Sequence, residues 1–444
     1  MENAEVIAAI ATAPGRAGIG VVRISGPNLQ NMAARLTGKA LPAPRQACFT
    51  RFIDSKGELI DEGLLIYFAA PASFTGEDVL ELQGHGGDAV LRMLLGRCLE
   101  LGARIAQPGE FTQRAFFNHK LDLAQAEAVA DLISAESAAA VRGAARSLAG
   151  VFSRKVMALV QQLIDLRLHV EGSIDFTEEG AGFLEQVNPQ RGIQEMLGVL
   201  NALVDSAAQG TLMRSGRQVV LIGAPNVGKS SLLNALAEED RALVTDIPGT
   251  TRDVIQSTIL IQGIPFHIVD TAGIRETGDA IEQAGIQRTW AAVENADLAL
   301  IVTDVVSGLT EEDSALMARL PADLPRQVVR NKVDLLEARA AARQESGVVV
   351  SAKTGAGLEA LKRLLLEQAG WHSPAEPPFL ARERHVDALR EARQHLMAAL
   401  PQLDSVELLA EELRLAQNAL ARITGEFSSD ALLGEIFSRF CIGK

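Results

Sequence analysis

The spacing of hydrophobic residues changes three times along this chain of 444 residues. Over 1–118 apolar residues come in short runs broken by Gly and Pro. The runs 6–11, 20–24, 64–68 and 79–82 have the length and composition of strands, and 89–101 carries helical spacing. From residue 119 the runs become long and rich in Ala and Leu, predicting helices over 121–149, 152–171 and 187–208. Within 216–371 short apolar runs return, at 219–222, 266–269, 327–329 and 348–350. After the break Pro374-Ala-Glu-Pro-Pro378, helical texture resumes over 384–400, 406–423 and 429–439.

This order predicts a multidomain α/β chain. An N-terminal α+β domain (1–118) precedes a helical domain in two parts (119–215 and 372–444), and an α/β domain (216–371) is inserted between them. An inserted domain must begin and end at nearly one place. Two independent helical domains are the alternative that the sequence leaves open.

Composition narrows the function classes. With 42 Lys and Arg against 56 Asp and Glu, the net charge of −14 argues against a broad nucleic-acid footprint. Any RNA substrate must then meet a local basic patch or a basic partner. Cys48, Cys98 and Cys441 are far apart and suggest neither a disulfide framework nor a zinc site. The start Met1-Glu-Asn-Ala-Glu5 is no secretory leader, and no run of about eighteen apolar residues is present. A soluble cytoplasmic chain without a membrane partner is expected.

The chemistry concentrates in the inserted domain. Gly223-Ala-Pro-Asn-Val-Gly-Lys-Ser230 fits the phosphate-binding pattern G-x-x-x-x-G-K-[ST], between an apolar strand and a helix start. In a Ras-like P-loop domain the amides of Asn226, Val227, Gly228, Lys229, Ser230 and Ser231 face a polyphosphate. Lys229 reaches the β/γ-phosphates and the Ser230 hydroxyl ligates Mg²⁺. Asp270, Thr271, Ala272 and Gly273 end the next strand, setting a carboxylate near the metal and a glycine amide near the γ-phosphate. Asn331, Lys332 and Asp334 form N-K-x-D, and Ser351, Ala352 and Lys353 close over the base. The Asp334 carboxylate accepts from guanine N–H groups, an arrangement adenine cannot satisfy. These motifs in this order predict GTP as the ligand.

Hydrolysis needs an oriented water. Where Ras-type proteins place a Gln after the D-x-x-G glycine, this chain has Ile274, which cannot hold water. The segment Thr245, Asp246, Ile247, Pro248, Gly249, Thr250, Thr251, Arg252 and Asp253 reads as switch I, with Thr251 able to complete the Mg²⁺ shell. The Asn226 amide oxygen either faces a monovalent cation bridging the phosphates or closes the loop with a backbone hydrogen bond. From chemistry alone these readings stand level.

The Asn-Val-Gly-Lys-Ser loop, the Gly-Thr-Thr-Arg-Asp switch and the apolar residue after Asp-Thr-Ala-Gly resemble the translation-factor-related GTPases activated by potassium. Two more stretches are similar to the tRNA-modification GTPase family MnmE (TrmE). They are Pro108-Gly-Glu-Phe-Thr-Gln-Arg-Ala-Phe-Phe-Asn-His-Lys-Leu-Asp-Leu-Ala-Gln-Ala-Glu127 and the two ends of Ile423-Thr-Gly-Glu-Phe-Ser-Ser-Asp…Phe-Cys-Ile-Gly-Lys444.

The resemblance implies a homodimer whose G domains pair across their switches in a K⁺-dependent way. Asn226, Thr245, Ile247 and Thr250 would surround K⁺, Glu282 would help position water, and Arg252 and Asp253 would transmit the nucleotide state. Without it, Glu282 reads as an acid at a helix N-terminus. It further implies a heterotetramer with the FAD-bearing partner MnmG (GidA) and modification of wobble uridine at carbon 5 in certain tRNAs. The one-carbon donor would be 5-formyl- or methylene-tetrahydrofolate, on a folate-binding-like N-terminal domain using Arg23, Glu81, Lys120 and Lys444. Each of those charges taken alone reads as solvated surface. Cys441 is either a nucleophile towards uracil or a structural residue. The competing functions are a ribosome-assembly GTPase and a membrane-associated or scaffold GTPase. Neither a Lys/Arg-rich appended domain nor a basic amphipathic helix supports them.

The base-pocket assignment is checked by Asp334→Asn. It is expected to weaken GTP binding and strengthen binding of xanthosine triphosphate in a fluorescence titration; unchanged preference would mean that the pocket is misread.

Overall fold

The computed structural model describes residues 5–175, 188–239, 256–270, 290–291, 293–336, 347–372, 378–426, 430–438, 440–441 and 443. It divides into two compact units, one of 1–133, 147–197 and 391–444, the other of 134–146 and 198–390.

The first half of the chain runs β1 (Ile7–Ile10), β2 (Ala17–Gly26), α1 (Gln30–Thr37), β3 (Ala47–Ile53), β4 (Leu59–Phe68), β5 (Asp78–Gly86), α2 (Asp88–Glu100), β6 (Arg104–Ile105), α3 (Glu110–Phe117), α4 (Leu123–Ile133), α5 (Ala138–Leu148) and α6 (Val151–Asp175). It continues through α7 (Pro189–Ser215), β7 (Arg217–Ile222), α8 (Lys229–Glu239), β8 (Gln256–Ile261), β9 (Ile264–Asp270), β10 (Leu298–Asp304), α9 (Glu311–Ala318), β11 (Arg326–Asn331), β12 (Val348–Val349) and α10 (Leu358–Gln368). Helices α11 (Glu383–Ala399), α12 (Val406–Thr424) and α13 (Asp430–Ser438) end the described chain.

In the first unit the described strands pair in the order β3-β4-β5-β2-β1-β6, antiparallel except for β1 and β6. Alternation puts Val22, Ile24, Leu65, Leu80 and Leu82 on one face, where Leu36 of α1 and Leu91, Leu94 and Cys98 of α2 complete a core. Residues one step along the strands, Arg23 and Glu81 among them, point to the opposite face. Burial pushes the Cys98 thiol up to about 12, so it stays protonated and inert. Helices α6 and α12 pack in the same unit, and Arg167 Nη1 donates to Gln417 Oε1 at 2.6 Å. Helical segments on either side of the insertion thus share one body.

The second unit holds the order β12-β11-β10-β7-β9-β8, parallel apart from β8. The run Leu298–Asp304 is buried through all but its last residue, the pattern of a strand covered on both faces. The block begins and ends at one place. Gln209 Nε2 on α7 donates to Gly370 O at 2.9 Å, and Arg217 Nη2 at the start of β7 donates to Ala369 O at 3.4 Å. A Cβ on Gly210 would lie 2.1 Å from Phe379 O, so the returning chain crosses α7 at a glycine.

Several expectations needed adjustment. The helical texture of 121–149 breaks into α4 and α5, and Ser134–Arg146 falls in the unit of the nucleotide-binding sheet. There Ser137 Oγ donates to Gly263 O at 3.1 Å. Residues 198–215 and 372–390, expected in the helical domain, fall in that unit too. Strands β3, β6, β8 and β10 lie outside the runs read as strands, and β4 extends back to Leu59 through Asp61 and Glu62. No helix among the described residues is long and apolar enough to cross a membrane.

An ion-pair network fastens α3 to the first sheet. Glu110 accepts from Arg104 Nη2 at 2.7 Å and Nη1 at 2.9 Å, from Arg114 Nη2 at 3.0 Å and from the Gln107 amide at 2.8 Å. Burial pushes its pKa up, but the Arg104 hydrogen bonds, the Gln107 amide and Arg114 outweigh that and hold it at about 2. Because this lies below the ordinary value of 4.5, the carboxylate adds stability above pH 4.5 that is lost as pH falls toward 2. Urea unfolding followed by circular dichroism is expected to find Glu110→Gln less stable at neutral pH, with the gap to wild type narrowing through that window. A constant gap would remove the charge from the account.

Candidate nucleotide site and C-terminal tail

Strand β7 ends at Ile222, and the chain turns through Gly223 (φ 157), Asn226 (φ 63) and Gly228 (φ 95) before α8 begins at Lys229. Close neighbours enforce the glycines. A Cβ on Gly223 would lie 2.2 Å from Val302 O on β10, and one on Gly228 2.3 Å from Asn331 Nδ2. Asn226 takes a left-handed conformation that asparagine tolerates better than most residues. The buried Lys229 ammonium donates to Gly223 O at 2.6 Å and Ala224 O at 3.2 Å, which holds it over the loop. The first amides of α8 have no carbonyl of their own helix to bond, so loop and helix start form an anion cradle. Ser230 is exposed on that first turn, where its hydroxyl can ligate the Mg²⁺ that accompanies a nucleotide.

The base side is tied to the phosphate side through Asn331. This side chain, 1% exposed, donates from Nδ2 to Val227 O at 2.9 Å. Its Oδ1 accepts from the amides of Lys332 at 2.8 Å and Ala352 at 3.1 Å. Three loops far apart in sequence thus converge on one carboxamide. Ser351 Oγ donates to Asp334 Oδ1 at 2.6 Å and fixes the carboxylate meant to read guanine. Lys332 has φ 69, and its ammonium pairs with Asp304 Oδ2 at 2.8 Å. That bond holds the Asp304 carboxyl below its ordinary value. Lys353 is exposed beside this group.

Sequence reasoning missed Asp304 and the tie made by Asn331. The available signal was a polar residue at the carboxyl end of an apolar strand, where α/β sheets bind ligands. The backbone of Asp270 pairs with Leu221, one residue before the end of β7. Its side chain, Thr271, Ala272, Gly273, Ile274, Glu282 and the whole of 245–253, with Thr251, Arg252 and Asp253, lie outside the described residues. Of the set assigned to K⁺, only Asn226 is described.

A second group of expected site residues lies in the other unit. Arg23 and Glu81 are direct partners across β2 and β5, and Arg23 donates to Glu81 Oε1 from Nε at 3.0 Å and Nη2 at 2.9 Å. Gln83 Nε2 donates to Glu81 Oε2 at 3.3 Å. The remaining arm of Arg23, Nη1, donates to Gly443 O at 3.4 Å, which brings the C-terminal tail to the pair. The Cys441 side chain is exposed. Lys120 donates instead to Pro71 O at 3.0 Å, and Lys444 lies outside the described residues.

A glycine loop opening a helix at the end of a central parallel strand, with N-K-x-D and S-A-K loops beside it, defines a P-loop GTPase. Residues 6–120 match the family model of the GTP-binding protein TrmE N-terminus, and 123–441 that of the MnmE helical domain. The chain is 58% identical over 446 residues to the tRNA modification GTPase MnmE of Azoarcus sp. (strain BH72), covering 99% of this chain and 98% of that one. Against the protein of that name in Neisseria meningitidis serogroup B it is 56% identical over 448 residues, covering 100% of both. Among solved structures it is similar to Aquifex aeolicus Era at 25% identity, over 41% of this chain and 67% of that chain, with a TM-score of 0.29. The chain belongs to the MnmE (TrmE) family of tRNA modification GTPases.

Replacing Asn331 by Ala leaves Val227 O and the Ala352 amide without their partner, each loss costing about 1–3 kcal/mol. GTP affinity is expected to fall by about tenfold to a hundredfold in a fluorescent-nucleotide titration. Wild-type affinity would show that the three loops hold their places without the tie.

Proposed function

We propose that this chain hydrolyses GTP to drive modification of carbon 5 of the wobble uridine in certain tRNAs, acting with the FAD-dependent partner MnmG. The product is a carboxymethylaminomethyl or aminomethyl group, and a tetrahydrofolate derivative supplies the one-carbon unit when bound. The observation that carries this reading is Arg23, which joins Glu81 to the C-terminal tail while Cys441 stands exposed two residues away.

At the nucleotide, the loop amides and Lys229 bind phosphate, Ser230 with Thr251 and Asp270 serves Mg²⁺, and Asp334 with Ser351 selects guanine. Ile274 cannot orient water, so Glu282 does, and Asn226, Thr245, Ile247 and Thr250 would hold a K⁺ ion whose charge would offset the negative charge developing on the phosphates. Arg252 and Asp253 carry the nucleotide state onward, and two G domains pair across these switches within a homodimer. At the second site the pre-oriented Glu81 offers a carboxylate to the pterin, while Arg23, Lys120 and Lys444 supply cations for the folate tail. The Cys441 thiol acts as the nucleophile towards the uracil ring. The net charge of −14 leaves much of the tRNA contact to the basic surface of the partner, in a heterotetramer.

The potassium role predicts faster hydrolysis in KCl than in NaCl at equal ionic strength, a difference that Asn226→Ala abolishes. Equal rates in both salts would remove K⁺ from the mechanism. The tRNA reading is tested by mass spectrometry of tRNA nucleosides from cells lacking the chain. Carbon-5 aminomethyl-type uridines are expected to vanish and to return with wild type but not with Cys441→Ser. An unchanged profile, with GTPase activity present, would point to ribosome assembly instead.

A further inference from the structure

The start of α3 and the end of the chain meet at Gly109. Its amide donates to the Cys441 carbonyl at 3.3 Å, and its backbone is left-handed, φ 68. A Cβ there would stand 2.6 Å from Phe437 O and 2.9 Å from Phe440 Cβ, so the tail lies directly on bare backbone. Phe437 and Phe440, with ring centroids 5.6 Å apart, anchor it among Leu123, Ala126 and Phe116. Beyond Cys441, Arg23 holds Gly443 O, and a Cβ on Gly443 would stand 2.5 Å from Ile10 O. The seat is firm because Glu110, the next residue, is clamped by Arg104 and Arg114.

Cys441 is therefore held at its own carbonyl by Gly109 and again by Arg23 two residues later. Two residues of chain span at most about 7 Å, so a tail held at both points has little freedom in where it presents the thiol. We propose that Gly109 is a positioning residue, its missing side chain setting where Cys441 stands relative to the Arg23–Glu81 pair. This rests on the tRNA-modification reading above. Effective catalysis requires reacting groups held to within about an ångström, so displacing the tail costs turnover rather than tRNA affinity.

The test uses the full chain with its partner and tRNA, comparing Gly109→Ala, Gly109→Asn and Gly102→Asn. Asparagine tolerates a left-handed backbone, so Gly109→Asn introduces the crowding with little strain. Gly102 has φ 98 and nothing within 4 Å of its would-be Cβ, which makes it the control for backbone effects alone. Both Gly109 variants are expected to raise hydrogen exchange in the tail segment containing Phe437 and Cys441 by about tenfold. Uridine modification should lose about a hundredfold in kcat with KM for tRNA unchanged, while GTP hydrolysis stays at the wild-type rate. Gly102→Asn should change neither. If the Gly109 variants do not fold, Phe440→Ala loosens the tail from its own side and should give the same pattern.

Native exchange in Gly109→Asn, or lost modification with native exchange, would overturn the proposal. If wild type itself modifies no uridine, the tRNA reading fails, whereas the exchange measurement still decides whether Gly109 seats the tail.

Discussion

A buried carboxamide has no water to satisfy it, so the backbone must come to it. Asn331 imposes that condition on the nucleotide-binding unit. Its donor takes the carbonyl of Val227 in the phosphate loop, and its acceptor takes the amides of Lys332 and Ala352 in the two base-recognition loops. Were the loops to drift independently, each would strand a polar group in a site of 1% exposure. Phosphate recognition and base recognition are consequently one rigid problem. The Lys332–Asp304 ion pair and the Ser351–Asp334 hydrogen bond refine a geometry that the carboxamide has already fixed.

How much of this could be read in advance depends on separation along the chain. The phosphate loop was legible because its glycines, lysine and serine are contiguous and its flanks declare a strand and a helix. N-K-V-D was legible for the same reason. That Ser351 orients Asp334 was not, because the two meet only after β12 pairs with β11. Arg23 and Glu81 each read as surface charges until the β2–β5 register set them opposite one another. Strand β4 hid its first half behind two consecutive acids, Asp61 and Glu62, which interrupt the alternation of apolar residues. The division of the Ala/Leu-rich stretch 121–149 between two bodies had no local signal. Helical periodicity states that a face is buried, not against which body.

The two units solve the same task by different means. In the nucleotide unit, the buried carboxamide of Asn331 adds polar ties to the close approaches at Gly223 and Gly228. In the N-terminal unit precision comes from close approach: Gly109 and Gly443 are places where one segment lies on another with no side chain between them. Ion pairs then brace the surrounding scaffold, Glu110 with its two arginines beneath α3 and Arg23 across the strands. Aromatic packing of Phe437 and Phe440 supplies the apolar area that keeps the chain end in place.

The contact between Gly228 and Asn331 also governs how such a sequence can change over time. Any side chain at 228 runs into the carboxamide at 331, and shortening 331 alone strands the loop carbonyl of Val227. A single change at either position carries one defect or the other, and a paired exchange passes through such an intermediate. The two residues are physically coupled, although 103 positions separate them.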